Sequence, residues 1–145
     1  MPWEEYQQMH GHGLRRVYCP VKKYGVKFAV RYIADVPLST KLSPVECKEI
    51  ETEAIKKKLP RQANLFLLDE TGKAFSSEAF AAFLEKLMLY HSKDLCFVIG
   101  GAYGFSNKFK ADAAQLISLS SMTFTHQMAR CFCRTALPGL YDNKR

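Results

Sequence analysis

Gly100 and Gly101 close one apolar run (Phe97, Val98, Ile99), and Ser120, Ser121, Met122 and Thr123 follow a second (Leu116, Ile117, Leu119). Both runs read as short buried strands that finish in loops of small residues. In an open α/β sheet, ligands bind in the crevice beyond the carboxyl ends of such strands. Small residues let main-chain amides and carbonyls approach a ligand there, and glycine does so most easily because it has no Cβ. The chemistry implied is recognition of a nucleotide-like molecule by backbone groups. The loop Gly100-Gly101-Ala102-Tyr103-Gly104 is not G-x-G-x-x-G, and no lysine follows it at Walker spacing. No acid/base dyad or Ser/His/Asp order stands out. Asp69-Glu70 reads as a turn rather than a catalytic pair, and His126 opens a helix, where a purely structural role is open to it.

The elements that must position these loops follow from periodicity. Val26, Phe28, Val30 and Tyr32 alternate along residues 26–33, as in a half-buried strand. Ser43-Pro44-x-Glu46 has the form of a capping box with proline in the first helical position. It predicts a helix to about Lys58, with Val45, Ile50, Ala54 and Ile55 on its apolar side. Lys56, Lys57 and Lys58 suit the negative pole of that helix. Residues 64–68 (NLFLL) predict a buried strand, and Asp69-Glu70-Thr71-Gly72 a turn. Ser76 or Ser77 caps the next helix, whose core stripe is Phe80, Phe83, Leu84, Leu87 and Met88. A strand over 95–99, a helix over 107–114, a strand over 116–119 and a final helix from Thr125 complete the order. Repeated βα units with four short strands predict an α/β fold with a mostly parallel sheet flanked by helices.

A chain of 145 residues suits one domain with a real core. No apolar stretch approaches a membrane span, and the opening MPWEEYQQMHGHG lacks the apolar segment of a signal peptide. A cytoplasmic protein is expected. The formal charge of +7 invites a polyanionic partner, yet residues 24–130 hold 14 basic and 11 acidic side chains, so much of the excess sits at the ends. Mild positive charge fits RNA contact and equally a solvated surface. Cys19, Cys47, Cys96, Cys131 and Cys133 form no C-x-x-C pair and read as reduced thiols. Cys131 and Cys133 with His126 lack a fourth ligand, so no metal is expected.

Three segments carry a more specific message: LLDETGKAFSSEAFAAFLEKL (67–87), FVIGGAYGFS (97–106) and ISLSSMTFTHQMAR (117–130). Together, and in this order, they resemble the RlmH family, 23S rRNA pseudouridine N-3 methyltransferases of the SPOUT superfamily, over about residues 25–130. The resemblance implies a SPOUT-type sheet whose C-terminal part is tied in a trefoil knot, a departure from ordinary chain connections. It implies S-adenosylmethionine held in the knot loops, largely by backbone groups. The matching positions are Leu68, Gly100, Gly101, Leu119, Ser120, Ser121, Met122, Thr123 and Phe124. His126 and Arg130 match positions that face RNA or brace the knot. The family further implies a homodimer in which each site borrows surface from the partner, and 23S rRNA in the ribosome as substrate.

The two ends depart from that pattern. After the HQMAR segment the family continues with a helix containing EQLYRA, whereas this chain runs CFCRTALPGLYDNKR, and Pro138-Gly139 would break a helix. Synonymous codons for residues 133–144, read one base later, give AEQLYRAYMII, which restores the family motif. A weaker case is residues 18–24, where a one-base shift with one extra adenine in the lysine run gives IARLKKY, of the form the family has there. Residues 1–23 and 131–145 are therefore expected to be translated out of frame around an authentic segment of a single domain. Losing the final helix removes apolar burial at roughly 25 cal/mol per Å² from a fold stable by only about 5–15 kcal/mol. The knot is then expected to be incomplete and the chain weakly active. Rival expectations are an inactive remnant, a non-catalytic RNA-binding module of the same fold, and a nucleotide-binding regulator without affinity for S-adenosylmethionine. Resequencing the gene around codons 20–24 and 130–134 should reveal single-base shifts; an intact frame shared by close relatives would remove the hypothesis.

Overall fold

The computed structural model describes residues 14–21, 31–34, 41–90, 93–101, 103–122 and 128–129. Five strands form one sheet among these residues: β1 (Leu14–Val21), β2 (Arg31–Ala34), β3 (Ala63–Ala74), β4 (Asp94–Ile99) and β5 (Gln115–Ser118), in the order β2-β1-β4-β3-β5. Three helices accompany them: α1 (Pro44–Lys58), α2 (Ser77–Tyr90) and α3 (Asn107–Asp112). β4, β3 and β5 are parallel, with Phe66 opposite Phe97 on one side and Gln115 on the other. This is the α/β arrangement expected, with β3 at its centre.

The N-terminal strands differ from the expectation. β1 runs antiparallel to both β2 and β4, in a segment for which the sequence pattern offered no element. The free edge of β4 presents a row of backbone N–H and C=O groups that need partners, and a neighbouring segment can satisfy them through its main chain alone. The strand expected over 26–33 is seen at 31–34, and residues 26–30 lie outside the described ones. So do Thr123, Phe124, Thr125, His126 and Arg130; Met128 and Ala129 are helical. The threading that would tie a trefoil knot also involves residues beyond those described.

Both faces of the parallel strands are buried, which is why residues 64–68 and 95–99 are continuous apolar runs rather than alternating ones. On one face Phe66, Phe97, Ile99 and Ile117 meet Phe80, Leu84 and Leu87 of α2. Phe66 stacks on Phe97 at 5.3 Å between centroids and meets the edge of Phe83 at 5.7 Å. The aromatic stripe of α2 is thus core, as its spacing implied. On the other face Leu65, Leu67, Cys96 and Val98 pack with Ile55 of α1 and with Phe105 and Phe109 around α3. Lys56 braces that layer from outside, pairing with Asp112 at 2.9 Å and lying over the Phe109 ring.

The start of α1 follows the sequence closely. Ser43 Oγ accepts from the Glu46 amide, and Glu46 accepts from the Ser43 amide at 2.8 Å. The Ser43 backbone amide first, and then the Ser43 hydroxyl donating to Glu46 Oε2 at 2.9 Å, hold the Glu46 carboxyl below its ordinary value. The buried face is another matter. Cys47, Glu51, Thr52 and Ile55 are buried, whereas Val45 and Ile50, expected on the apolar side, are 64% and 46% exposed. The stripe facing the sheet is 47-51-55, spaced by four. At about 100° per residue, positions 45 and 50 point roughly a quarter-turn or more away from it.

The expected turn at 69–72 is an excursion within a longer strand. Ile117 of β5 stands opposite Leu68 and again opposite Lys73, so β3 leaves its neighbour after Leu68 and returns before Ala74. Asp69 Oδ1 accepts from the Thr71 amide at 2.9 Å and from the Thr71 hydroxyl, which closes a tight local turn. At the return the two backbones cross so closely that a Cβ on Gly72 would lie 2.5 Å from the Ile117 amide nitrogen and the Leu116 carbonyl carbon. Backbone cannot step aside as a side chain can. Gly72→Ala should therefore lower stability by about 3 kcal/mol, the upper end of overpacking costs, read as a lower urea midpoint at unchanged m. A midpoint equal to wild type would mean that the strands do not cross this tightly.

Candidate functional site

The carboxyl ends of β3, β4 and β5 open into one cavity of about 450 Å³. Leu68 and Asp69-Glu70-Thr71 come from the β3 excursion. Ile99, Gly100, Gly101, Tyr103, Gly104 and Phe105 come from the end of β4 and the loop after it. Ser118, Leu119, Ser120 and Met122 come from the end of β5. Lys48 of α1, Asn107 and Lys110 of α3, and Ala129 complete the lining. The two strand ends singled out from the sequence therefore share a cavity, at the place where open α/β sheets bind ligands. Its volume is within the range of small-molecule sites.

Each wall has a local cause. In the β4 loop the Gly104 amide donates to the Gly101 carbonyl at 3.0 Å, and Gly104 has φ of +74°, a conformation that favours glycine. This closes a tight turn that projects Tyr103 at the cavity. Gly100 is required by packing: a Cβ there would lie 3.1 Å from the Phe105 ring, which is buried beneath it. On the β5 side the Ser118 hydroxyl donates to the Ser120 carbonyl at 2.9 Å, and Ser120 Oγ accepts from the Met122 amide at 3.0 Å. Two small side chains thus fold the loop on itself and leave Met122 76% exposed at the rim.

The charged wall is organised around Asp69. Lys110 Nζ lies 2.9 Å from Asp69 Oδ2, while Oδ1 takes the two bonds from Thr71. Burial alone would push the Asp69 carboxyl up. The Thr71 hydroxyl, Lys110 and the Thr71 amide outweigh it and hold the group below its ordinary 3.8. Both oxygens are occupied, so Asp69 braces the excursion against α3 and leaves Glu70, exposed on the same wall, as the carboxylate available to a ligand.

Of the residues expected to bind cofactor, Leu68, Gly100, Gly101, Leu119, Ser120 and Met122 line the cavity. Ser121 is exposed and does not line it, and Thr123, Phe124, His126 and Arg130 lie outside the described residues. Sequence reasoning missed Lys48, Glu70, Tyr103, Asn107 and Lys110. The signal for Glu70 was present in the turn after Leu68. Nothing in the spacing of α1 or α3 places Lys48 or Lys110 at the cavity.

Comparison with known proteins decides the family. A family model described as "Predicted SPOUT methyltransferase" matches residues 3–135. The chain belongs to the SPOUT methyltransferase family. Its relatives include the "Ribosomal RNA large subunit methyltransferase H" of Porphyromonas gingivalis, 47% identical over 107 residues, which are 74% of this chain and 68% of that protein. The protein of the same name from Flavobacterium psychrophilum is 48% identical over the same shares of both chains. That of Geotalea daltonii is 52% identical over 85 residues, 59% of this chain and 56% of its own. The RlmH resemblance and the methyltransferase fold class therefore stand, and the family implies a methyl donor. No helix among the described residues is long and apolar enough to cross a membrane.

The ionised Asp69 carries a testable consequence. Its folded pKa is depressed, so its contribution to stability is present above the ordinary value of 3.8 and is lost as pH falls through the lower folded value. Urea midpoints of wild type should fall more steeply from about pH 4 downward than those of Asp69→Asn. At neutral pH the variant should be less stable by about 1–2 kcal/mol, since the broken pair involves a partly exposed lysine. Parallel pH curves for the two proteins would exclude the bracing role.

Proposed function

We propose that this chain is an S-adenosylmethionine-dependent methyltransferase acting on N-3 of a pseudouridine of 23S rRNA in the ribosome, working as a cytoplasmic homodimer. The observation that carries the reading is the single cavity formed by the ends of β3, β4 and β5 in a SPOUT family member. The name its relatives carry supports ribosomal RNA as the substrate class.

The residues present fit the donor. Leu68, Ile99, Leu119 and Ala129 offer apolar contact for a flat base, and main-chain groups at Leu68, Gly100, Gly101, Leu119, Ser120 and Met122 line the cavity as donors and acceptors for it. Glu70 places negative charge on the wall of a site meant for a cation. Bound there, the sulfonium supplies an electrophilic methyl group. The protein's part is to hold that methyl in line with the attacking nitrogen and to keep water out, and positioning of this kind accounts for much of the acceleration of a transfer reaction. Lys110 is neutralised by Asp69 and keeps the excursion in place. His126 and Arg130 are assigned to the RNA side of the site or to bracing of the knot.

A second reading follows from the sequence of residues 131–145, which departs from the family's EQLYRA motif: the cavity binds donor without turnover. Calorimetry with S-adenosylmethionine and transfer of labelled methyl to ribosomes lacking the modification separate the two. Wild type should bind the donor, and Gly101→Val, which puts an isopropyl group into the cavity, should weaken binding by roughly tenfold or more with an unchanged circular dichroism spectrum. Equal affinity in the variant would move the donor elsewhere. Binding without transfer would favour the non-catalytic module.

A further inference from the structure

The cavity is not uniform. The apolar lining residues cluster at the strand ends, whereas the face formed by α1 and the loop before α3 is polar and aromatic. Two lysines line it, and they are not equivalent. Lys110 is paired with Asp69, while Lys48 has no carboxylate partner among the described residues. Lys48 is held in place through its own helix turn. The Thr52 hydroxyl donates to the Lys48 carbonyl at 2.7 Å, and lies 3.4 Å from the Ser106 hydroxyl that caps α3. That contact seats the Lys48 turn of α1 beside the segment carrying Tyr103 and Asn107. Tyr103 is 41% exposed on the cavity, and its backbone is fixed by the Gly101–Gly104 turn.

An aromatic face and an ammonium with no carboxylate partner among the described residues, lining one cavity, suit a single unstacked nucleotide. The base gains by stacking on an aromatic ring, whatever its identity, and the phosphate gains by pairing with a cation. An enzyme acting on a ring nitrogen that is otherwise paired or stacked must have the base swung out to it. We propose that Tyr103 and Lys48 form the substrate half of the cavity: a nucleotide turned out of the RNA lays its base on the Tyr103 ring and its phosphate against the Lys48 ammonium. This rests on the RNA methyltransferase reading above. The competing occupant for Lys48 is the carboxylate of the methyl donor. The phosphate is favoured because Lys48 comes from α1 and not from the strand-end loops that offer main-chain groups to the donor, and because Tyr103, which lines the same cavity, serves a base and not a carboxylate.

The test uses the full chain, with ribosomes lacking the methyl group titrated in the presence of S-adenosylhomocysteine, and S-adenosylmethionine affinity measured by calorimetry as the donor arm. Tyr103→Ala should weaken ribosome binding about tenfold, and Tyr103→Trp should retain it. Lys48→Ala should reduce the slope of log affinity against log salt by about 0.7, the loss of one phosphate contact, and Lys48→Arg should restore it. Donor affinity should be unchanged in all four variants. Ribosome binding equal to wild type in Tyr103→Ala and Lys48→Ala, with the donor bound normally, overturns this proposal and leaves the methyltransferase reading intact. Loss of donor affinity in Lys48→Ala assigns that lysine to the donor carboxylate and also overturns it. A wild-type chain that binds neither donor nor ribosome removes both.

Discussion

Between Leu68 and Lys73 the central strand leaves the sheet and comes back to the same neighbour, and everything at the cavity depends on that excursion closing. Ile117 is the fixed point, paired with β3 before and after the departure. The return is possible only because Gly72 has no side chain to set against the β5 backbone. Four residues with no room to be a free loop then have one direction left, outward over the strand ends. That direction carries Asp69, Glu70 and Thr71 onto the cavity wall. A strand that simply ended at Leu68 would leave the same floor but no charged side to it.

The ion pair between Asp69 and Lys110 follows from the same geometry. α3 has six residues and buries only Phe109, so its hold on the sheet is slight. Its two ends are fastened by separate contacts: Ser106 caps it and approaches Thr52 of α1, and Lys110 reaches the excursion. Lys56 and Asp112 join α1 to the far end. Exposed ion pairs contribute little to stability. The Asp69 pair is more enclosed, and its value lies in setting the distance between two walls of a site. Positive charge at Lys110 is consumed in doing so, which leaves Lys48 as the cation without a carboxylate partner among the described lining residues.

The parts of the fold that depend on local chemistry were legible in the sequence, and those that depend on crossing partners were not. The Ser43–Glu46 box and the α2 stripe are set by neighbours a few residues away, and both occur where expected. The buried runs at 64–68 and 95–99 announce strands covered on two faces. The burial of Glu51 and Thr52 in place of Val45 and Ile50 was not legible, because which side of α1 meets the sheet is fixed by tertiary contact. Likewise Asp69 to Gly72 carries the signature of a turn, whereas the structure has a displaced stretch of strand there. That the strand resumes afterwards depends on β5, which lies more than forty residues further on. Lys48 and Tyr103 entered the site by the same route, through contacts between segments that sequence spacing does not relate.

The glycines show how a residue expected at a cavity can line it for a reason other than the expected one. From the sequence, Gly100 and Gly101 stand for open space in which a ligand meets backbone. At Gly100 the missing Cβ instead makes room for Phe105, whose ring fills the space that a methyl group would take. Phe105 in turn packs with Phe109 at 5.7 Å and closes the core under the cavity. The backbone groups of the loop are therefore held from below by a packed aromatic layer. A ligand that reads main-chain atoms needs them fixed before it arrives, since ordering a loosely held loop would be subtracted from its affinity. In this chain the small residue at Gly100 leaves room for the ring that packs under the loop.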